Sequence, residues 1–289
     1  MTTLLSVPNV SEGRDPQLID EIARAFDARL LSVHSDPDHH RSVFTLAGEP
    51  GSLANAVTTG AREATERINL RKQDGLHPKV GTVDVAPIVY LSEDDRGAAA
   101  AEALVLADRL GEELCLPVFL YGILAGGRTR AELRRGGTTG LAARLASREL
   151  RADFGPQTLH PNAGAVLVAA RPPLIAFNVE LSPPATVDDA KAIAAAIREG
   201  GVEGLESVRA IGLWLEHRAV AQVSMNVEDY TKTALAKVIE AIARRATVAE
   251  AELVGLAPRA ALEGLPDELT VGGRATIEDA LATADKRLS

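Results

Sequence analysis

The order of strand and helix signals constrains this chain most, because one order, β-α-β-β-α-β, is legible in it twice. In the first half, Leu4 to Val10 is a short β-type run, followed by Ser11-Glu12-Gly13-Arg14-Asp15-Pro16. Asp15 before Pro16 reads as an N-cap with proline at the first helical position. Leu18, Ile19, Ile22 and Phe26 recur at helical spacing, which predicts a helix to about Ala28. Two strands follow, Arg29 to His34 and Ser42 to Ala47, with the polar turn Ser35-Asp36-Pro37-Asp38 between them. Gly48 to Ser52 opens a second helix that runs to about Ile68. A loop from Arg71 to Gly81 then leads into the strand Val83 to Leu91.

In the second half, Leu174 to Leu181 is strand-like and Val187 to Glu199 is helical. Val208 to Glu216 and Ala219 to Val227 read as a hairpin with His217-Arg218 at its turn. Thr231 to Arg245 is an amphipathic helix and Ala251 to Ala257 a final strand. The spacings differ between the halves, so this is an architectural echo and not a repeat of fixed period. The fold class expected is α+β, as two β-α-β-β-α-β (ferredoxin-like) sandwich subdomains, each a sheet with helices on one face. Between them lie a helix around Ala98 to Leu110, a strand near Val118 to Tyr121, and a Gly/Arg-rich stretch. That stretch holds Gly126-Gly127-Arg128 and Arg134-Arg135-Gly136-Gly137. The boundary falls after Arg171-Pro172-Pro173, giving residues 1–173 and 174–289.

Composition narrows the function. At 46% hydrophobic residues the 289-residue chain can build substantial cores. The formal charge of −9 argues against a nucleic-acid partner, which needs a basic field over the phosphates. Aromatics at 3% leave no base-stacking platform. No run of about 18 apolar residues occurs, so no membrane partner is expected. The amino terminus lacks the features of a signal peptide, and a cytoplasmic location follows as the expectation. The single cysteine, Cys115, sits in the apolar run Leu114 to Val118 and reads as a buried thiol.

Four of the six histidines, His34, His39, His40 and His77, fall in the first 80 residues at strand ends or in loops. His77 lies in Asp74-Gly75-Leu76-His77-Pro78-Lys79-Val80-Gly81, where Pro78 restricts it to extended backbone. An imidazole there suits general acid–base work, or is a hydrogen-bonded loop histidine. His39 and His40, adjacent on an extended segment, point apart, and no metal motif occurs, so no metal is expected. Arg41 suits bidentate recognition of a carboxylate, or a surface ion pair with Asp36 or Asp38. The segment Gly155, Pro156, Gln157, Thr158, Leu159, His160, Pro161, Asn162, Ala163, Gly164 has loop composition throughout. It offers polar groups to a heterocycle, or simply connects two domains. Asn9 and Asn178 each end an apolar run, where asparagine contacts a ligand or caps a turn.

Together these segments resemble the glutamate formiminotransferase family. The resemblance rests on Val7 to Gly13, Asp38-His39-His40-Arg41-Ser42-Val43, His77 to Asp84, Val118 to Gly122, Asp153-Phe154-Gly155-Pro156, Ile175 to Asn178, and Ala221 to Asn226. It implies two subdomains with folate in the cleft between them. It also implies transfer of the formimino group of N-formimino-L-glutamate to tetrahydrofolate, a step of histidine degradation. The cyclodeaminase domain fused to the animal enzymes is expected to be absent. By the resemblance His77 is catalytic and Gly155 to Gly164 is the folate segment. His34 stands where the animal enzymes carry an acidic residue, and Asp36 or Asp38 is left to take that part. Asn9, His34, His39, Arg41, Lys79 and Asn178 are the expected substrate contacts. The partners are small molecules, with a homodimer among the assemblies allowed. N-formylglutamate as donor, a non-catalytic folate-binding protein, and a metal hydrolase using His39 and His40 are the alternatives. Because the substrates are polyanions, binding must depend on a local island of His39, His40, Arg41 and Lys79.

Overall fold

The computed structural model describes residues 2–76, 78–266 and 269–286 and divides into two compact units, the first ending in sequence at Pro172 and the second beginning at Pro173. In the first unit the opening strand is split into β1 (Leu4–Ser6) and β2 (Asn9–Val10). Pro8 has no N–H for a ladder, yet its carbonyl still accepts from Phe44 N at 3.0 Å. Helix α1 (Pro16–Ala25) begins as expected, with the Asp15 carboxylate accepting from Gln17 N and Leu18 N. Strands β3 (Arg29–Asp36) and β4 (Arg41–Gly48), helix α2 (Leu53–Arg67) and β5 (Val83–Val89) complete the β-α-β-β-α-β set. β4 lies between β3 and β1/β2, and β5 pairs on the far side of β1/β2, so the two halves of the motif interleave.

The stretch read as lying between two sandwiches belongs to this first unit. Helix α3 (Arg96–Leu114), β6 (Val118–Leu120), α4 (Arg130–Arg134), α5 (Gly137–Ala146) and β7 (Val166–Arg171) extend its sheet. β7 inserts between β5 and β6 and runs parallel to both, completing seven strands among the described residues. One face buries Leu4, Ile22, Phe44, Leu53, Leu106 and Val168 beneath α1 to α3. The other buries Val85, Phe119, Tyr121, Leu133, Leu141 and Leu167 beneath α4 and α5.

Two local details depart from the sequence reading. Cys115 is exposed, not buried: α3 ends on it with a left-handed φ of 53°, turning its side chain away from buried Leu114 and Leu116. Ser52 makes no side-chain cap for α2. Glu102 of α3 does so instead, accepting from Gly51 N at 2.5 Å and Ala54 N at 2.6 Å. A buried carboxylate is thereby held by the orphan N–H groups of a neighbouring helix.

The second unit holds β8 (Ile175–Leu181), α6 (Val187–Ile197), β9 (Val208–Leu215), β10 (Val220–Val227), α7 (Leu235–Ala243) and β11 (Val248–Leu253). The sheet order β11-β8-β10-β9 is the same interleaved arrangement. A short β12 (Val271–Gly272) beside β11 and helix α8 (Ile277–Lys286) follow the expected final strand. Phe177, Val179, Val223 and Met225 face the core with α6 and α7, while Asn178, Glu180 and Gln222 alternate onto the opposite face. Among the described residues no helix is long and apolar enough to cross a membrane.

Candidate functional site

The His77 segment and the Gly155–Gly164 loop, far apart in sequence, are stitched together in the first unit. Leu70 N donates to Asn162 O at 2.8 Å, Thr82 N to Ala163 O at 2.9 Å, and Ala165 N to Val80 O at 2.9 Å. Gly81 and Gly164 face each other in an antiparallel bridge. His77 itself lies outside the described residues, but both its flanks are fixed. Within the loop, Gln157 pairs with both backbone groups of Ala152, and His160 Nδ1 accepts from Ala163 N at 2.9 Å. That acceptor role puts the proton of neutral His160 on Nε2, and burial lowers its affinity for a second proton. Thr158, Pro161 and Asn162 are exposed, Leu159 packs toward the α4/α5 core, and Ala163 is buried. The loop is therefore a built element, not a plain connection.

The other flank docks on the turn between β3 and β4. Leu76 N donates to Asp38 O at 3.2 Å, and a Cβ on Gly75 would lie 2.2 Å from His39 O. Arg14 Nη1 donates to Asp74 Oδ1 at 2.7 Å. His40 does not sit on an extended segment; it holds a turn with φ of 48°. Its ring nitrogens face Glu12 Oε1 at 3.1 Å and Asp74 Oδ1 at 3.4 Å.

The expected basic island is only partly as drawn. Arg41 opens β4 opposite Asp36 but has no carboxylate within ion-pair distance among the described residues. Burial and the nearby Arg134 guanidinium pull it down to about 10, with Asp84 and Asp36 pulling the other way, so it stays a cation at neutral pH. Burial likewise lowers Lys79, against the pull of Asp84 and Asp74. Its Nζ is buried with no hydrogen-bond partner among the described residues, as are Thr82 Oγ1, Tyr121 Oη and Arg134 Nε. Orphaned buried donors of this kind call for a polar ligand or water. Asp84 gathers the group, accepting from Val80 N at 2.6 Å and pairing with Arg134. His39 and His40 take other roles: His39 is buried beside Asp36, its Nε2 at 3.9 Å from the carboxylate.

Of the remaining expected contacts, Asn9 folds its amide onto Val7 O at 3.1 Å and caps the break in its strand. His34 is on β3 opposite Val43. Asn178 lies in the second unit, nearly buried on β8, and donates to Glu252 Oε2 at 3.3 Å. Among the described residues no group of three or more His, Cys, Asp or Glu is arranged to hold a metal ion.

Sequence reasoning missed Glu12, Asp84, Tyr121 and Arg134. Arg134 stood in the Gly/Arg-rich stretch, but its neighbours there have other work. Arg128 pairs with Asp153, Arg135 with Glu149, and Arg144 donates to the carbonyls of Glu132 and Leu133. Only the fold singles out Arg134, because its partner is 50 residues away.

Comparison with known proteins adds two family matches. The N-terminal subdomain of the formiminotransferase domain matches residues 3–171, and the formiminotransferase domain matches 176–265. A glutamate formimidoyltransferase of Streptococcus pyogenes serotype M1 is 37% identical over 89% of this chain and 89% of its own. One of Thermoplasma acidophilum is 33% identical over 91% of this chain and 90% of its own. The formimidoyltransferase-cyclodeaminase of Rattus norvegicus is 37% identical over 89% of this chain, which spans 50% of that protein.

Proposed function

The chain belongs to the formiminotransferase family, and from that premise we propose how its first unit serves the reaction. It is a one-carbon transferase of the glutamate formimidoyltransferase type. It moves the formimino group of N-formimino-L-glutamate to tetrahydrofolate, giving 5-formiminotetrahydrofolate and glutamate in cytoplasmic histidine degradation. The observation that carries the site assignment is the stitching of the His77 segment to the Gly155–Gly164 loop through Leu70, Val80 and Thr82.

Tetrahydrofolate, when bound, supplies the nitrogen that accepts the one-carbon unit. The Gly155–Gly164 loop would hold it, with the Nε2–H of His160 and exposed Thr158 and Asn162 as the polar groups offered. One C–N bond forms as another breaks, so one nitrogen must lose a proton and the departing glutamate nitrogen must gain one. His77 takes the first proton and delivers the second, the general acid–base role an imidazole can fill in both directions. Arg41 and Lys79, with Arg134 behind them, receive the donor carboxylates. The orphaned Lys79 Nζ and Arg134 Nε fit an anionic ligand. Local cations thus offset a chain of charge −9.

Arg41→Ala tests this placement. Loss of a charge-assisted hydrogen bond is worth about 1.5–3 kcal/mol, so KM for the donor is expected to rise by about 10- to 150-fold. KM for tetrahydrofolate should stay within about twofold, the signature of removed donor binding alone. Steady-state kinetics with each substrate varied in turn gives both numbers. An unchanged donor KM would remove Arg41 from the site.

A further inference from the structure

We infer that Glu12 is a positioning residue for His77, holding the chain that leads into residue 77 while Ser11 holds the chain that follows it at Gly81 and Thr82; this rests on the reading of His77 given above. Glu12 directly follows β2 and is 7% exposed. Its Oε1 accepts from Gly13 N at 2.9 Å, Arg14 N at 2.8 Å and Asp15 N at 3.1 Å, a concave cradle of consecutive N–H groups. The same oxygen takes His40 Nε2 at 3.1 Å, and Oε2 takes Gln73 Nε2 at 3.5 Å. Burial opposes ionisation here, yet the N–H groups of Arg14 and Asp15 and the facing His40 outweigh it and keep Glu12 below the usual glutamate value.

Of the residues leading into His77, Gln73, Asp74 and Gly75 are tied to this carboxylate or to what it holds, and Leu76 to the adjoining β3–β4 turn. Gln73 reaches Glu12 directly. Asp74 meets both Arg14, whose backbone Glu12 binds, and His40, whose ring Glu12 binds. Gly75 rests against the backbone of His39, and Leu76 N donates to Asp38 O. Arg14 Nε also donates to Pro37 O at 2.9 Å, closing the turn onto the same point. On the far side, Ser11 N donates to Thr82 O and Ser11 Oγ to Gly81 O, both at 2.7 Å. Two consecutive residues therefore clamp the loop before and after His77. Ser42 Oγ locks them by donating to Glu12 O at 2.6 Å. No residue of this clamp needs to touch substrate for the imidazole to depend on it.

The experiment is steady-state kinetics and thermal unfolding of Glu12→Gln, Asp74→Asn, His77→Ala and the Glu12→Gln/His77→Ala double variant, with N-formimino-L-glutamate and tetrahydrofolate. A misplacement of about 1 Å can cost roughly 10²-fold, so Glu12→Gln is expected to lower kcat by about 10- to 100-fold with both KM values within about twofold. In the His77→Ala background the same change should cost less than about twofold, because no imidazole is left to misplace. Asp74 is 74% exposed, so its variant keeps the test open should Glu12→Gln fail to fold; its kcat should fall about three- to tenfold. A folded Glu12→Gln with normal kcat, an undiminished loss in the His77→Ala background, or a normal Asp74→Asn would each overturn the inference. An active His77→Ala would instead overturn the reading beneath it, and is told apart by that variant alone.

Discussion

His77→Ala is expected to lower kcat by about 10²–10⁴, the usual range for a lost general acid–base group, while tetrahydrofolate still binds within a few-fold of normal. The reaction asks one group to remove a proton from the incoming nitrogen and return one to the outgoing nitrogen. The segments that flank His77 are held from three directions: by the 155–164 loop, by the β3–β4 turn, and by Ser11 and Glu12. Held flanks of this kind favour a proton carrier acting between two nitrogens, since reach comes before basicity. Folate binding should survive because the loop rests on backbone bonds to Leu70, Val80 and Thr82, none made by the imidazole. Single-turnover rates alongside equilibrium binding separate the two effects. A kcat within about threefold of the unsubstituted enzyme would take the proton transfer away from His77.

Gly164→Ala should destabilise the first unit by about 3 kcal/mol and raise KM for tetrahydrofolate at least tenfold. Gly164 has φ of 74° and is packed so that a Cβ would lie 2.1 Å from Val80 O and 2.8 Å from Leu70 Cδ2. The left-handed backbone costs a side chain about 1–2 kcal/mol, and relieving the overlap costs about 1–3 kcal/mol more. The relief must come from moving Val80 or Leu70, which are the segments that join the loop to His77. Gly126 is the control, because its φ is 61° but nothing lies within 4 Å of its would-be Cβ. Gly126→Ala should therefore cost only the backbone component, about 1 kcal/mol. Denaturant titration of both variants reads the difference, and equal midpoints would show that the close approach at Gly164 carries no weight.

What the sequence made legible was whatever repeats at short range. Asp15-Pro16 announces α1 because cap and proline are adjacent, and the alternation of β8 and β10 is visible within each strand. β7 escaped because Val166–Ala170 is buried without interruption. A strand covered on both faces and paired in parallel shows no alternation. α4 and α5 escaped because α4 is only five residues long and α5 starts from Gly136, a left-handed cap, and Gly137. The site divides in the same way. His77, Lys79 and Gly155 to Gly164 could be proposed because glycine and proline stand beside them, and Arg41 by its residue type alone. Glu12, Asp84 and Arg134 could not, since their meaning lies in partners 28 to 61 residues distant. The pairing of Arg134 with Asp84, and the failure of Arg41 to find Asp36, are consequences of packing that no local pattern records.

The most direct test is to incubate the purified protein with tetrahydrofolate and either N-formimino-L-glutamate or N-formyl-L-glutamate. Glutamate release and the absorbance spectrum of the folate product are followed together. The prediction is stoichiometric glutamate and 5-formiminotetrahydrofolate from the formimino donor, at a rate well above that with the formyl donor. Turnover with the formyl donor alone, or folate binding with no turnover of either, would contradict it.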